Sequence, residues 1–420
     1  MRTRILVAFF VFLLSCGSIA HADVVTDWNT AALNAIRAGR TAPPAAARAL
    51  AILHAAIYDA VNGITRTHTS YRVESAVPSS ASVEAAASAA AHHVLVTLFP
   101  ASTPAFDTLH AATLAALPDR PQTRRGTAWG STVAAEILLW RSTDNSHTPI
   151  AAPVGEGPGT WQPTMPAMGP FLMPQWAFVE PFTMPSTDRF RPLGPPALDS
   201  TTYAEDYNEV RMLGGATGSL RTADQELIAL FWADGGGTET PPGHWNSIAQ
   251  AVSRQAGHTV EQNARLFALL NLAMGDAAIC AWDAKYVFNN WRPQTAIRNG
   301  DADGNAATVA DPEWTSLVIN PPFPDYVSGH SAFSAAASTV LAMFHGTDKI
   351  AIDTGSDFLP GVRRQFPSFS AAAAEAAASR LYGGIHFRFA IQDGLTGGVE
   401  IGRWTFENFL TAKKNRSRKP

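Results

Sequence analysis

Apolar positions recur at helical spacing through 45–61, 81–98, 126–141, 222–233, 261–289, 331–344, 369–382 and 396–411. Strand-like alternation rich in β-branched residues is nearly absent, so the pattern predicts an all-α chain of helical bundles. Between 144 and 200 the helical period disappears under dense Pro and Gly (GEGPGTWQPTMPAMGPFLMPQW), which predicts a long irregular segment wrapping the surface. It separates an N-terminal helical half (23–200) from a C-terminal helical bundle (201–412), and the expectation is two packed bundles. LHAAIYDA (53–60) and LNLAMGDA (270–277) resemble each other weakly. DADGN (301–305) reads as a turn, because its glycine falls at the fourth position of the would-be calcium loop and no glutamate closes it.

The first 22 residues have another logic. Arg2 and Arg4, the apolar run 5–14 and Ala20-His21-Ala22 form a secretory signal, which predicts an exported protein, periplasmic or secreted. Lipoprotein anchoring through Cys16 is a weaker alternative. Cleavage would leave Cys280 as the sole cysteine, so no internal disulfide is expected and the core must hold the protein together. No later segment reads as long and apolar enough to cross a bilayer. The basic end 413–420 (KKNRSRKP) reads as a solubilising tail. With 46% hydrophobic and 16% charged residues and a formal net charge of −4, nothing favours a nucleic-acid partner.

Chemistry concentrates late in the chain. In SRLYGGIHFRFAIQD (379–393), Gly383 and Gly384 are poor helix interior and good helix end, so they can break a helix and aim Arg380 and His386 at one target. Seven residues separate Lys285 from Arg292 in KYVFNNWRP, nearly two turns, which predicts two cations on one helical face with Pro293 ending the helix. In FPDYVSGHSAFSAAASTVLAMF (323–344), Ser328, Gly329 and His330 meet a helix start, a ready anion site. Taken singly, these are equally a solvated pair, a basic stripe and an ordinary serine cap. Together, Lys285, Arg292, Arg380, Ser328 and Gly329 would hold a tetrahedral anion, with His386 and His330 at its two ends.

The ordered set K-x6-R-P, S-G-H and S-R-x5-H resembles the superfamily of type 2 phosphatidic acid phosphatases and vanadium-dependent haloperoxidases, over roughly 220–400, and the helical N-terminal half resembles its soluble bacterial haloperoxidase branch. The resemblance implies a vanadate cofactor ligated by His386, with hydrogen peroxide and a halide as substrates. It equally allows an exported acid phosphatase that takes phosphate esters through a phosphohistidine at His386, with His330 protonating the leaving group. It also implies that Trp282 and Phe323 line a halide pocket, and that Asp234, in FWADGGGTETPP, backs Arg380. Two positions depart from the pattern. Val327 replaces a proline, and Ala390 stands where a carboxylate commonly orients the histidine, leaving Asp393 as a substitute and a non-catalytic oxyanion-binding protein as a third reading. A homo-oligomer is compatible with all of these.

Overall fold

The computed structural model describes residues 23–413 except 75, 76, 78 and 154. Residues 1–22, read as a secretory signal, and all but the first residue of the basic tail lie outside the described residues. Helices dominate, as the periodicity requires. They are α1 (Val24–Ala38), α2 (Pro43–Thr65), α3 (Val83–Leu98), α4 (Thr103–Ala115), α5 (Pro121–Arg141), α6 (Thr201–Leu213), α7 (Ala223–Phe231), α8 (Thr240–Ala256), α9 (Val260–Phe288), α10 (Pro293–Arg298), α11 (Gly329–His345), α12 (Phe369–Tyr382) and α13 (Arg388–Asn408). The only sheet among the described residues is an antiparallel hairpin of β1 (Ile352–Gly355) and β2 (Arg363–Phe366).

α9 is the axis of the molecule. It starts at a capping box, Thr259 with Gln262, and packs on α2 along one side and on α11 and α13 along the other. By length and composition α9 could cross a membrane, contrary to the reading that no segment past the leader could. Its apolarity has another cause: Ala264 through Lys285 are buried in protein on every side apart from the partly covered Arg265. Cys280 is free and buried on this helix, and burial pushes its thiol up to about 12.

Two buried aspartates tie the irregular chain to the bundle. Asp59 of α2 accepts the N–H groups of Tyr71, Arg72 and Val73 at 2.7–2.8 Å. Asp276 of α9 accepts those of Phe182, Thr183 and Met184 at 2.6–2.9 Å. These are the aspartates of LHAAIYDA and LNLAMGDA, so the weak internal likeness has a structural counterpart. Arg48 and Arg141 both reach Asp144 at 2.7 Å, closing the start of the segment against α2 and α5.

The α11–α13 contact places the candidate site. Gly394, Gly398 and Gly402 fall at four-residue spacing, and a Cβ on them would meet the carbonyls of Ser328, Ala332 and Ala336 at 2.8, 2.5 and 2.7 Å. Only glycine lets α13 lie this close to the alanine-rich α11.

His54 of α2 makes one pH prediction. It is fully buried against Phe267, with its Nε2 3.1 Å from Asn29 Oδ1, and burial lowers it to about 3. Between that value and 6.5 the unfolded chain binds a proton that the folded chain refuses. Stability is therefore present above 6.5 and lost as the pH falls. The unfolding free energy from urea titrations between pH 7 and 5 should fall more gently in His54→Gln, by up to about 1.4 kcal/mol per pH unit. Parallel slopes would contradict it.

Candidate active site

The turn between α12 and α13 builds the floor. Gly383 caps α12, and Ile385 N–H returns to Arg380 O at 3.1 Å. Gly384 takes φ +75°, and a Cβ there would lie 2.2 Å from Gly214 O. Arg380 in the last turn of α12 and His386 just before α13 therefore face one cavity. Gly384→Ala should cost about 2–3 kcal/mol or more, from the left-handed backbone and the clash together. An unchanged urea midpoint would contradict this.

Lys285 and Arg292 also converge here, though by another route than a shared helical face. Asn289 adopts φ 43° and ends α9, and Arg292 is the N-cap of α10, whose first residue is Pro293. Proline fits a helix start because its missing N–H would be unsatisfied there anyway. Arg292 donates through Nε to Phe323 O at 2.7 Å and through Nη1 to Ile385 O at 2.7 Å, with His386 Nε2 3.2 Å away. Lys285 Nζ donates to the carbonyls of Pro324 (2.8 Å), Asp325 (3.0 Å) and Val327. Its three donors are thus spent on the loop before Ser328, so it shapes that loop and adds charge to the site from beneath. Burial, then Arg292, lowers the Lys285 ammonium well below its usual value, while the three carbonyls require its charged form.

Ser328 caps α11, its Oγ accepting from Ser331 N–H and its own N–H bonded to Ala390 O at 2.9 Å. Gly329 and His330 line the cavity at the exposed end of the helix ladder. A Cβ on Gly329 would meet nothing closer than 3.7 Å, so the floor is open there. His330, Arg380, Arg292 and Lys285 all act on His386. Burial first, then these four charged or ionisable groups, lowers His386 well below 6.5. Burial and Arg380 do the same to His330. Both imidazoles are neutral at pH 7. Burial brings Arg292 down to about 9 and Arg380 to about 10, so both stay cationic.

The carboxylate beside His386 is Asp325. Its Oδ1 lies 2.7 Å from His386 Nδ1, a close charge contact whose angle is not that of a hydrogen bond. Burial raises Asp325 to about 7 against the pull of Arg292 and Lys285. Asp393 does not take this role. It accepts the Tyr326 hydroxyl at 2.5 Å, because His386 precedes α13 and the helical spacing between 386 and 393 does not exist. Asp234, at φ 44°, gives its carboxylate to His244 Nδ1 at 3.2 Å. No direct bond to Arg380 forms, and Asp234 acts on that guanidinium only through its field. Arg380 instead donates to Trp232 O at 2.6 Å. His244, stacked on Trp232 at 4.5 Å, is a further member of this layer. Burial opposes its charge, but Asp234 and Glu239 outweigh that and raise it.

Above the floor lies a cavity of about 700 Å³. Trp282 and Phe323 pack at 4.9 Å in its wall, and Trp282 Nε1 donates to Leu172 O at 3.1 Å. The Pro/Gly-rich segment therefore folds over the site of its own chain. Arg292 Nη2, Arg380 Nε and His330 Nε2 are buried polar atoms without a hydrogen-bond partner among the described residues. Unpartnered buried donors around an open floor fit an oxyanion such as phosphate or vanadate.

Residues 265–414 match the family model described as the VCPO second helical-bundle domain. The chain is 29% identical to vanadium chloroperoxidase of Curvularia inaequalis over 288 residues, which is 52% of this chain, and it spans about half (47%) of that curated relative. Its fold is similar to that of the first bacterial vanadium-dependent iodoperoxidase solved, with TM-score 0.81 and 28% identity over 93% of this chain and 97% of that one. A bacterial vanadium-dependent chloroperoxidase in its apo form shares the fold at TM-score 0.70 and 18% identity, covering 86% and 92% of the two chains.

Proposed function

We propose, from the premise that this chain is an enzyme related to the vanadium-dependent haloperoxidases, that it oxidises halide with hydrogen peroxide at a vanadate held by His386. The observation that carries this reading is the group of unpartnered buried donors gathered around one neutral histidine. Vanadate bound there would supply a Lewis acid that polarises the peroxide.

The remaining work belongs to the protein's own residues. Asp325, 2.7 Å from Nδ1 of His386, is placed to take the proton of that nitrogen by a small rotation of the ring or carboxylate, which would leave Nε2 with a lone pair. Arg292 and Arg380 supply the positive charge that an oxyanion needs, and Gly329 and His330 add N–H groups at the start of α11. His330, neutral at pH 7 with a free Nε2, accepts or returns the peroxide proton. Lys285 holds the Pro324–Val327 carbonyls in place. Trp282 and Phe323 give an apolar wall that strips water from an incoming halide.

The same floor supports a second reading. A neutral, carboxylate-flanked His386 beside a neutral His330 is also a nucleophile with a proton donor for phosphate-ester hydrolysis. A non-catalytic binding role loses its motive, since Asp325 supplies the carboxylate missing at Ala390.

The test uses purified protein, first without added metal and then with orthovanadate. Peroxide-dependent oxidation of iodide or bromide that phosphate inhibits supports the haloperoxidase. Ester hydrolysis blocked by vanadate, with no halide oxidation, supports the phosphatase instead. An exported location follows from the N-terminal signal, and we propose it on that ground alone.

A further inference from the structure

The cavity is far larger than the proposed inorganic substrates need. A water-sized molecule takes roughly 30 Å³, so a halide and a peroxide fill a small part of about 700 Å³. The walls are mostly apolar, the character of a site for an organic molecule rather than a solvated channel.

Among the described residues the rim carries two exposed apolar side chains and a cation without an ion-pair partner. Ile319 is 67% exposed and Phe358 46% exposed, both lining the cavity. Beside them, Arg40 follows the end of α1 at φ 46°. Its guanidinium lies across the glycine turn 235–237. A Cβ on Gly237 would come 2.9 Å from Arg40 Nη1, and one on Gly236 3.6 Å from Nη2. Gly237 of FWADGGGTETPP thus makes room for this side chain.

Neighbouring carboxylates are already committed. Arg37 holds Glu239 and Asp357 at 2.5 and 2.7 Å, and Asp234 is held by His244. Among the described residues Arg40 has no ion-pair or side-chain hydrogen-bond partner. An Arg fork at the mouth of an apolar cavity is suited to a carboxylate on an apolar body.

We propose that this cavity binds the organic acceptor itself, an electron-rich aromatic carboxylate whose anionic group pairs with Arg40 and whose ring lies against the apolar wall. For halogen transfer the inference rests on the haloperoxidase reading; for binding it stands alone. Peroxide takes two electrons from the halide and, with one proton taken up from solvent, gives hypohalous acid and water. A ring carbon then gives an electron pair to the halogen, and the displaced ring proton leaves with the hydroxide as water.

The test is calorimetric titration of the full protein with 6-hydroxy-2-naphthoate and, as the uncharged control, 2-naphthol. Orthovanadate or inorganic phosphate is held in excess so that the oxyanion floor is filled. The naphthoate should bind, and Arg40→Gln should weaken it about five- to tenfold while 2-naphthol binds both proteins equally. The inference is overturned if the naphthoate does not bind, if Arg40→Gln leaves its affinity intact, if both probes weaken alike, or if phosphate displaces it. With the vanadate-loaded protein, binding without any halogenation on adding peroxide and either bromide or iodide would retain this site and reject the haloperoxidase reading.

Discussion

His386→Ala should lower vanadate-dependent halide oxidation by about 10³-fold or more, to the level of the uncatalysed reaction. The size of the effect follows from the surroundings of this one ring. His386 is the imidazole acted on by Arg292, Lys285, Arg380 and His330 together. Its Nδ1 faces Asp325 Oδ1 at 2.7 Å, so Nε2 is the ring nitrogen left to donate electrons to a bound centre. His330 cannot substitute, because it is fixed on α11 and faces the backbone of Trp232 and Ala233. The measurement is initial-rate bromide or iodide oxidation in variant and wild type, with near-ultraviolet circular dichroism to establish that the variant is folded. Activity within tenfold of wild type would remove His386 from the mechanism. The same variant should lose ester hydrolysis if the phosphatase reading is the right one.

Asp325→Asn should weaken vanadate binding about 10- to 100-fold, the usual cost of losing the carboxylate behind a metal-binding histidine. Asparagine keeps the size of the side chain, and the backbone contacts of residue 325 persist: Lys285 Nζ to its carbonyl at 3.0 Å and its N–H to Asn290 O at 2.9 Å. What disappears is the carboxylate 2.7 Å from His386 Nδ1, the group placed to fix that ring's tautomer and to balance Arg292 and Lys285. Excess orthovanadate should therefore restore occupancy without restoring the full kcat, since the tautomer stays unfixed. Vanadate affinity equal to wild type in folded Asp325→Asn would show that Asp325 does not act through His386. The urea midpoint should fall as well, because two buried cations lose their nearest anion.

Part of this site could be read directly and part could not. Ser328-Gly329-His330 before a helical run is local, and the structure keeps it as a cap and first turn. Gly383-Gly384 between Arg380 and His386 is also local, and a left-handed residue appears there. The Lys285–Arg292 spacing led to the right neighbourhood for the wrong reason: the period assumed a continuous helix, but Asn289 ends α9 three residues before Arg292. Asp325 stood in plain view in FPDYVSGH. A loop has no period, so nothing in the sequence distinguished Asp325 from Asp393 as the carboxylate facing His386. Helices α1, α4, α6, α8 and α10 escaped the periodicity too. α8 begins TPPGHWN, where Pro-Pro-Gly reads as a turn although proline fits a first helical turn, and α6 (TTYAEDYNEVRML) is mostly polar.

The amino-acid order by itself determined the helical class, the caps and the identity of the cationic and imidazole groups, because these depend on neighbours within one or two turns. Only the tertiary structure decided which carboxylate serves His386, that Lys285 is spent on loop carbonyls, and that the Pro/Gly-rich segment roofs the cavity. Those outcomes arise between residues tens to more than a hundred positions apart, brought together by the burial of α9 and the close glycine contact of α13 on α11. No local pattern encodes such distances.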